Sequence, residues 1–191
     1  MLSPKVKELI VKARIVSFKT WKDDFSSEII DRFQAADDEK YYLTDDDCVA
    51  ITSAYPHLKD NVAIASLLRD NATEIVSKAR ANVLTEFPGI TEEGGELYPE
   101  FRAEACWRDF WHFLRCITYG IATNRNDYTS SKGLGFMEEL YQELSVPLPA
   151  MVCGVKGLKT FSLGYSEKDT SVSFSDPFDH LIAELQKFSS P

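Results

Sequence analysis

Several features are scarce in this chain of 191 residues, and each scarcity argues against a class of protein. No apolar run approaches the roughly 20 residues of a membrane-spanning helix, and no basic-then-apolar leader opens the chain. Only four cysteines and three histidines occur, without a C-x-x-C pair, so neither a zinc-type ligand spacing nor a disulfide scaffold is indicated. Basic residues number 21 against 30 acidic ones, and the net charge of -9 argues against binding to nucleic acid, whose phosphates it repels. We therefore expect one acidic, soluble, cytosolic protein domain.

Glycine and alternating β-branched residues are scarce as well, and this scarcity indicates helices. The first glycine is Gly89, and the stretches between the eight prolines are rich in helix-forming residues. This pattern predicts an all-α protein of seven or eight helices with globin-like packing. The helices are expected at residues 5–18, 27–40, 66–87, 99–123, 133–145, 149–165 and 177–188, with another start at Thr44. Core candidates in and just before the 66–87 helix are Ile64, Leu67, Leu68, Ile75 and Leu84.

The beginning of the chain differs in charge from the rest. Residues 1–22 contain six basic residues and one acidic residue, a net charge of +5, which leaves -14 for residues 23–191. This asymmetry predicts a basic N-terminal arm over residues 1–25, separate from a domain over residues 26–191. Three contacts stay open for the arm: the acidic body of its own chain, an acidic partner, or an anionic membrane surface.

The most informative stretch is residues 101–122, FRAEACWRDFWHFLRCITYGIA. Apolar residues recur along it at helical spacing, and Asp109 follows Cys106 by one turn, so thiol and carboxylate project in similar directions. Spacing alone also fits an ordinary core helix, in which Glu104 and Arg108 form a surface ion pair four residues apart.

This stretch resembles the bilin-bearing helix of the phycobiliproteins, the light-harvesting proteins of the phycobilisome, and in particular of allophycocyanin α-type subunits. The family pattern C-x-R-D, followed by L-R-x-x-T-Y, is matched by residues 106–109 and 114–119. The resemblance covers residues 36–188. Its other ordered matches are Ala36 to Glu39 with Tyr42 and Leu43, Phe87 to Gly89 leading to Gly94 and Gly95, Glu139 to Tyr141, Val146 with Pro147, and Gly154 with Val155.

The resemblance implies a globin-like phycobiliprotein fold with an N-terminal helical hairpin, and a linear tetrapyrrole of the phycocyanobilin type. Cys106 is implied as the attachment residue, whose thiol adds across the ring A side chain to form a thioether. Asp109 is implied as the acceptor for the inner pyrrole N–H groups, and Arg108 as the donor to a propionate. The aromatic neighbours implied for the bilin are Trp107, Phe113 and Tyr119. Such a protein absorbs light and passes excitation on, and it is not an enzyme.

The resemblance also implies assembly with an α- or β-type partner subunit or as a homodimer, with a ring of three such dimers and a linker protein as further partners. Subunits of this family pair through the N-terminal hairpin of one chain and the bilin-bearing helix of the other. The matching interface residues are Asp37 and Tyr42 on the hairpin, and Arg115 and Tyr119 on the helix. The implied location is the cytoplasm, peripheral to the thylakoid membrane of a cyanobacterium, or a plastid.

The chain departs from the family pattern at three places. The basic arm has no counterpart in ordinary subunits, and Trp107, Trp111 and His112 stand where smaller or differently polar residues are usual. Residues 166–176 match poorly and are expected to form a variable loop. These departures favour a divergent or minor member of the family.

Three alternatives to a pigmented subunit remain open from the sequence. The first is a non-pigmented interaction protein in phycobilisome assembly, degradation or regulation, which keeps the Asp37/Arg115 interface. The second is a haem-binding globin, for which His57, His112 and His180 are the available nitrogen ligands. The third is an acyl-transfer enzyme using Cys106, for which no adjacent base and orienting group is readable.

Overall fold

The computed structural model describes residues 2–165 and 173–189 of the chain. Over those residues the protein forms nine α-helices and no sheet, with one isolated antiparallel bridge between Val16 and Thr129. The all-α prediction is confirmed. The helices are α1 (Pro4–Lys12), α2 (Ser27–Asp38), α3 (Asp45–Ala54), α4 (Lys59–Asp70), α5 (Ala72–Glu86), α6 (Glu100–Ala122), α7 (Ser131–Leu144), α8 (Leu148–Leu163) and α9 (Asp176–Leu185).

Helix α6 runs through the centre of the molecule, and every residue from Phe113 to Ala122 is buried. Helices α4, α5, α8 and α9 pack against it. The approach of α8 depends on Gly154, because a Cβ atom there would lie 2.0 Å from the ring of Phe110. No helix in the described part of the chain combines the length and apolar character needed to cross a membrane.

The single helix predicted over residues 66–87 is wrong, because the chain divides there into α4 and α5. The break falls at Asn71, whose side-chain amide donates to the Leu67 carbonyl at 2.8 Å. An asparagine side chain that bonds its own backbone competes with helix continuation. Of the core candidates around this break, Leu67 and Leu84 are exposed, while Ile64, Leu68 and Ile75 are buried.

The first helix is shorter than predicted and ends at Lys12 rather than near residue 18. The next residues include Ile15 and Val16, which are β-branched and favour extended backbone. They pair with the segment before α7: the Ser130 amide donates to the Ile15 carbonyl at 2.8 Å, and the Ser17 amide to the Tyr128 carbonyl at 3.0 Å.

The basic N-terminal segment lies on its own chain, which is the first of the three contacts left open for it. Helix α1 packs on α7 through Val6 and Leu9, and Lys5 pairs with Glu143. Further along, Phe18 and Trp21 are buried in the same core as the helices. The division of the chain at residue 25 stays a prediction. Of the variable loop expected over residues 166–176, only residues 173–176 lie within the described part of the chain.

Candidate functional site

Helix α6 carries Cys106 and Asp109 three residues apart, on one face of the helix. Helix α7 contributes Tyr141 to the same site. The hydroxyl of Tyr141, on α7, donates to Oδ2 of Asp109 at 3.2 Å. Tyr141 is buried, and burial together with Asp109 raises its pKa well above 10, so the hydroxyl keeps its proton. Tyr141 lies in one of the motifs that match the family. The sequence did not predict its contact with Asp109.

The Asp109 carboxylate is half-buried and has spare hydrogen-bonding capacity. Burial raises its pKa to about 6, against the opposing effects of the Tyr141 hydrogen bond and the nearby Arg108 guanidinium. Above that pH the group is an anion with two acceptor oxygens, of which Tyr141 occupies one site. The carboxylate can therefore accept further N–H donors.

The Cys106 thiol lies beside this carboxylate and is closed off from solvent. Its exposed fraction is 4%, and burial, followed by the charge of Asp109, raises the pKa of the thiol to about 12. The protonated form therefore predominates at neutral pH, which is the weakly reactive form of cysteine. All four cysteines are free thiols.

Trp107 follows Cys106 on α6 and is buried. Its ring lies 5.6 Å from that of Phe110, and the Arg80 guanidinium lies 5.2 Å above it. The indole Nε1 is buried and has no hydrogen-bond partner among the described residues. Arg80 also approaches Glu104 at 3.9 Å, so the surface pair considered for Glu104 and Arg108 is not the one formed. Arg108 itself is exposed.

The structure does not bring Phe113 and Tyr119 to the Cys106 thiol. Phe113 is fully buried in the core, seven positions further along α6. Tyr119 lies thirteen positions after Cys106, about 20 Å along a helix of 1.5 Å rise per residue. A role of these two side chains against a bilin stays a prediction.

Tyr119 belongs instead to a second polar cluster at the far end of α6. Arg115 Nη2 lies 3.0 Å from Asp37 Oδ1, and Arg115 Nη1 donates to the Tyr119 hydroxyl at 2.7 Å. The Tyr119 hydroxyl donates in turn to the Tyr41 carbonyl. Side chains of Asp37 and Arg115 are only 5% and 4% exposed. Tyr42 donates nearby to the Trp111 carbonyl at 3.2 Å. The four residues predicted at a partner interface are thus close together, within one chain.

Sequence reasoning missed one member of this second cluster. Arg14, in the N-terminal segment, donates from Nε to Asp37 Oδ2 at 3.1 Å and also pairs with Asp38 at 2.6 Å. The sequence had identified Arg14 only as one of several positive charges. Arg14 lies close to the motif Ala36 to Glu39 only because of how the N-terminal segment folds. The local sequence around Arg14 does not indicate this contact.

Other features of the molecule lie apart from both clusters. A cavity of about 630 Å³ opens between α5 and α8, and the half-buried Cys153 lines it while Cys106 does not. His112 is half-buried, and its pKa is lowered to about 4 by burial and neighbouring cations; His180 contacts Thr129 at 2.7 Å. The haem alternative gains no support from these surroundings. Among the described residues, no group of three potential ligands is arranged to hold a metal ion.

Comparison with known proteins agrees with the motifs of α6. Residues 31–185 match the family model described as "Phycobilisome protein". The allophycocyanin alpha chain of Cyanophora paradoxa is 31% identical over 151 residues, which cover 79% of this chain and 94% of the relative. That of Galdieria sulphuraria is 30% identical over 151 residues, with 79% and 94% covered. Allophycocyanin subunit alpha-B of Synechocystis sp. is 29% identical over 147 residues, with 77% and 91% covered.

Proposed function

Because the chain belongs to the phycobilisome protein family, we propose that it is a bilin-carrying, allophycocyanin-like subunit that absorbs light and passes the excitation on. The all-helical architecture is the globin-like fold of this family. Its members are light-harvesting pigment proteins and not enzymes.

The observation that carries the proposal is the placement of Cys106 beside Asp109 on one face of α6. The carboxylate has one hydrogen bond, from Tyr141, and keeps acceptor sites free in a half-buried setting. Trp107, the residue after Cys106, has a buried Nε1 donor without a partner among the described residues. A ligand with both N–H donors and acceptor groups suits this combination, and a linear tetrapyrrole has both.

We assign the following roles to the residues of the chain. Cys106 supplies the thioether attachment, and Asp109 accepts hydrogen bonds from the inner N–H groups, which are charge-assisted and therefore strong. Arg108, exposed next to this carboxylate, supplies a planar donor fork for a propionate. When bound, the bilin supplies the absorption of visible light. Because the Cys106 thiol is buried, loading requires the side chains that cover it to move aside.

The proposal includes assembly and location. The family implies a partner phycobiliprotein subunit, and we propose pairing through the surface that contains Asp37, Tyr42, Arg115 and Tyr119. A ring of three such dimers and a linker protein extend this arrangement. The location that fits such an assembly is the cytoplasmic face of the thylakoid membrane, in a cyanobacterium or a plastid.

A non-pigmented interaction protein is the second candidate, and the burial of Cys106 favours it. A thiol that is 4% exposed, with a pKa of about 12, is not ready for attachment in the ligand-free chain. This candidate keeps the partner surface and dispenses with the pigment.

The two candidates are separated by co-expression with a bilin-producing pathway and a bilin lyase, followed by denaturing electrophoresis and zinc-enhanced fluorescence. We expect a fluorescent band that Cys106→Ala abolishes, because the thioether has lost its sulfur. Cys153→Ala is the matched control, since that half-buried thiol lies on α8 and should leave the band unchanged. A dark band for the wild-type chain, with a standard subunit labelled in parallel, establishes the non-pigmented candidate instead.

A further inference from the structure

Two arginines from distant parts of the chain hold one buried carboxylate. Arg115 reaches Oδ1 of Asp37 at 3.0 Å, and Arg14 reaches Oδ2 at 3.1 Å. Asp37 is on α2 and Arg115 on α6, so their ion pair joins the two helices. Arg14 comes from the N-terminal segment and fills the remaining side of the carboxylate. Both oxygens of Asp37 are therefore engaged within the chain.

The segment that supplies Arg14 has a close-fitting seat on α7. A Cβ atom added to Gly133 would lie 1.9 Å from the Arg14 carbonyl oxygen, so only glycine admits the backbone at this distance. The hydrogen bonds of Ser17 and Ser130 hold the segment on both sides of its bridge between Val16 and Thr129. The seat thus relies on backbone contact at one glycine.

Aromatic residues of the same segment cover the joint between α2 and α6. The Phe18 ring lies 6.0 Å from that of Phe33 on α2 and 6.4 Å from that of Tyr119 on α6. The Trp21 ring lies 5.0 Å from Phe33, in edge-to-face geometry. The segment therefore contacts both helices that carry the Asp37/Arg115 pair.

We propose that residues 13–25 are an internal cover of the partner surface. While this segment is seated, Arg14 occupies Oδ2 of Asp37, and Phe18 and Trp21 cover the joint between α2 and α6. A partner subunit pairs only after the segment leaves its seat. The partner must then offer a guanidinium to Asp37 and apolar side chains in place of Phe18 and Trp21. The inference rests on the proposed function, because the covered surface is the one proposed there for pairing.

The first test displaces the segment by one methyl group. Gly133→Ala places a Cβ atom against the Arg14 backbone, whereas Gly135→Ala, two residues along α7, meets nothing within 4 Å and is the matched control. We expect faster hydrogen exchange at the amides of Ser17 and Ser130 in Gly133→Ala only. Sedimentation velocity with a β-type allophycocyanin chain should show tighter association for the same variant. A tenfold larger open fraction tightens the apparent dissociation constant about tenfold.

The second test closes the cover reversibly and does not depend on the fate of Gly133→Ala. Val16 and Thr129 form a non-hydrogen-bonded antiparallel pair. The Cα atoms of such a pair lie about 4.5 Å apart, within disulfide range. The double variant Val16→Cys/Thr129→Cys should lose association when oxidised and regain it on reduction. The wild-type chain, treated in the same way, controls for its own four thiols.

Two results overturn the cover. One is equal association of the oxidised and reduced double variant; the other is faster exchange in Gly133→Ala without tighter association. A different result would overturn the partner surface itself. This result is that Gly133→Ala associates with the partner equally well with and without the additional substitution Arg115→Gln. Pigment on Cys106 is scored separately, so either failure leaves the bilin part of the proposed function standing.

Discussion

The Asp109 carboxylate must be an anion to accept two N–H groups, yet its burial opposes ionisation. Its pKa of about 6 places the balance just below neutral pH, so the group is ionised under ordinary conditions at some cost to the ligand-free chain. The Tyr141 hydroxyl reduces that cost by donating one hydrogen bond. The site therefore holds a charge that bound N–H donors would further stabilise.

Asp109 should make the stability of the ligand-free chain depend on pH. Because its folded pKa of about 6 exceeds the ordinary value of 3.8, the folded state binds this proton more tightly than the unfolded state. The contribution of Asp109 to stability is therefore lost as the pH rises from 3.8 to about 6, and it no longer changes with pH above that range. We expect the unfolding free energy of wild type, relative to Asp109→Asn, to fall by on the order of 1 kcal/mol per pH unit between those values.

Urea denaturation at a series of pH values measures this difference, and other titrating groups, including His112, cancel in it. A flat difference for Asp109→Asn would mean that desolvation does not raise the pKa of this carboxylate.

Spacing along one helix was enough to place Cys106 and Asp109 together, because residues three apart share a helical face. Spacing along one helix could not predict that Tyr141 contacts Asp109 or that Arg14 contacts Asp37. These groups reach their carboxylates from 32 and 23 residues away in sequence, and only the packing of other elements decides such contacts.

At the scale of helices, the contact between α6 and α8 is set by a missing side chain. Gly154→Ala would bring a Cβ atom to 2.0 Å from Cζ of Phe110, which is fully buried and has little room to move. We expect a loss of about 1–3 kcal/mol in unfolding free energy, as overpacked cores usually show. The measurement is urea denaturation monitored by circular dichroism.

Gly135→Ala again serves as the control, since α7 has open space there and alanine is the better helix former. A gain of about 0.5–1 kcal/mol is expected for it. Equal effects of the two substitutions would contradict the close approach of α8.

Helix type was predictable from the sequence, whereas helix ends were decided by single polar or β-branched residues. The spacing of apolar residues continues through Asn71 and therefore predicted a single helix. In the structure, the Asn71 amide ends α4, and α5 begins at the next residue. Helix α1 stops early because the Ile15 backbone finds a hydrogen-bond partner in a segment beyond α6. Local pattern holds no information about that partner.

At the scale of the whole molecule, the N-terminal segment contributes to the core of the remaining chain. Trp21 is fully buried, with its ring 4.8 Å from Phe18 and 5.0 Å from Phe33. Trp21→Ala should therefore lower the global unfolding free energy by about 3–5 kcal/mol, as large core truncations do.

Denaturation followed by circular dichroism tests this expectation, because a helix signal reports the whole chain. Lys22→Ala, at the neighbouring exposed position, should change little. An unchanged midpoint for Trp21→Ala would show that residues 1–25 unfold as a separate arm, as their charge had suggested.

Family and fold could be predicted because several motifs occur in the right order over most of the chain, and chance rarely produces such an order. The position of the basic arm could not be predicted in the same way. Net charge gives the sign of a segment and not its place of contact, and three surfaces satisfied that sign equally. The segment packs on its own chain because apolar residues such as Val6, Leu9 and Trp21 are buried there.

The long reach of the N-terminal segment has a consequence for biosynthesis. Asp24 meets Arg125, 101 residues later, and Lys5 meets Glu143, 138 residues later. At a translation rate of about 5–20 residues per second, the aromatic residues of the segment leave the ribosome roughly 5–20 s before α7 has been made. During that interval the segment lacks its contact with α7, and until α6 is made Phe18 also lacks Tyr119, so that of these two ring partners only Phe33 of α2 is available. Newly made chains should therefore depend on chaperones at their N-terminus, more than a subunit that begins at the hairpin.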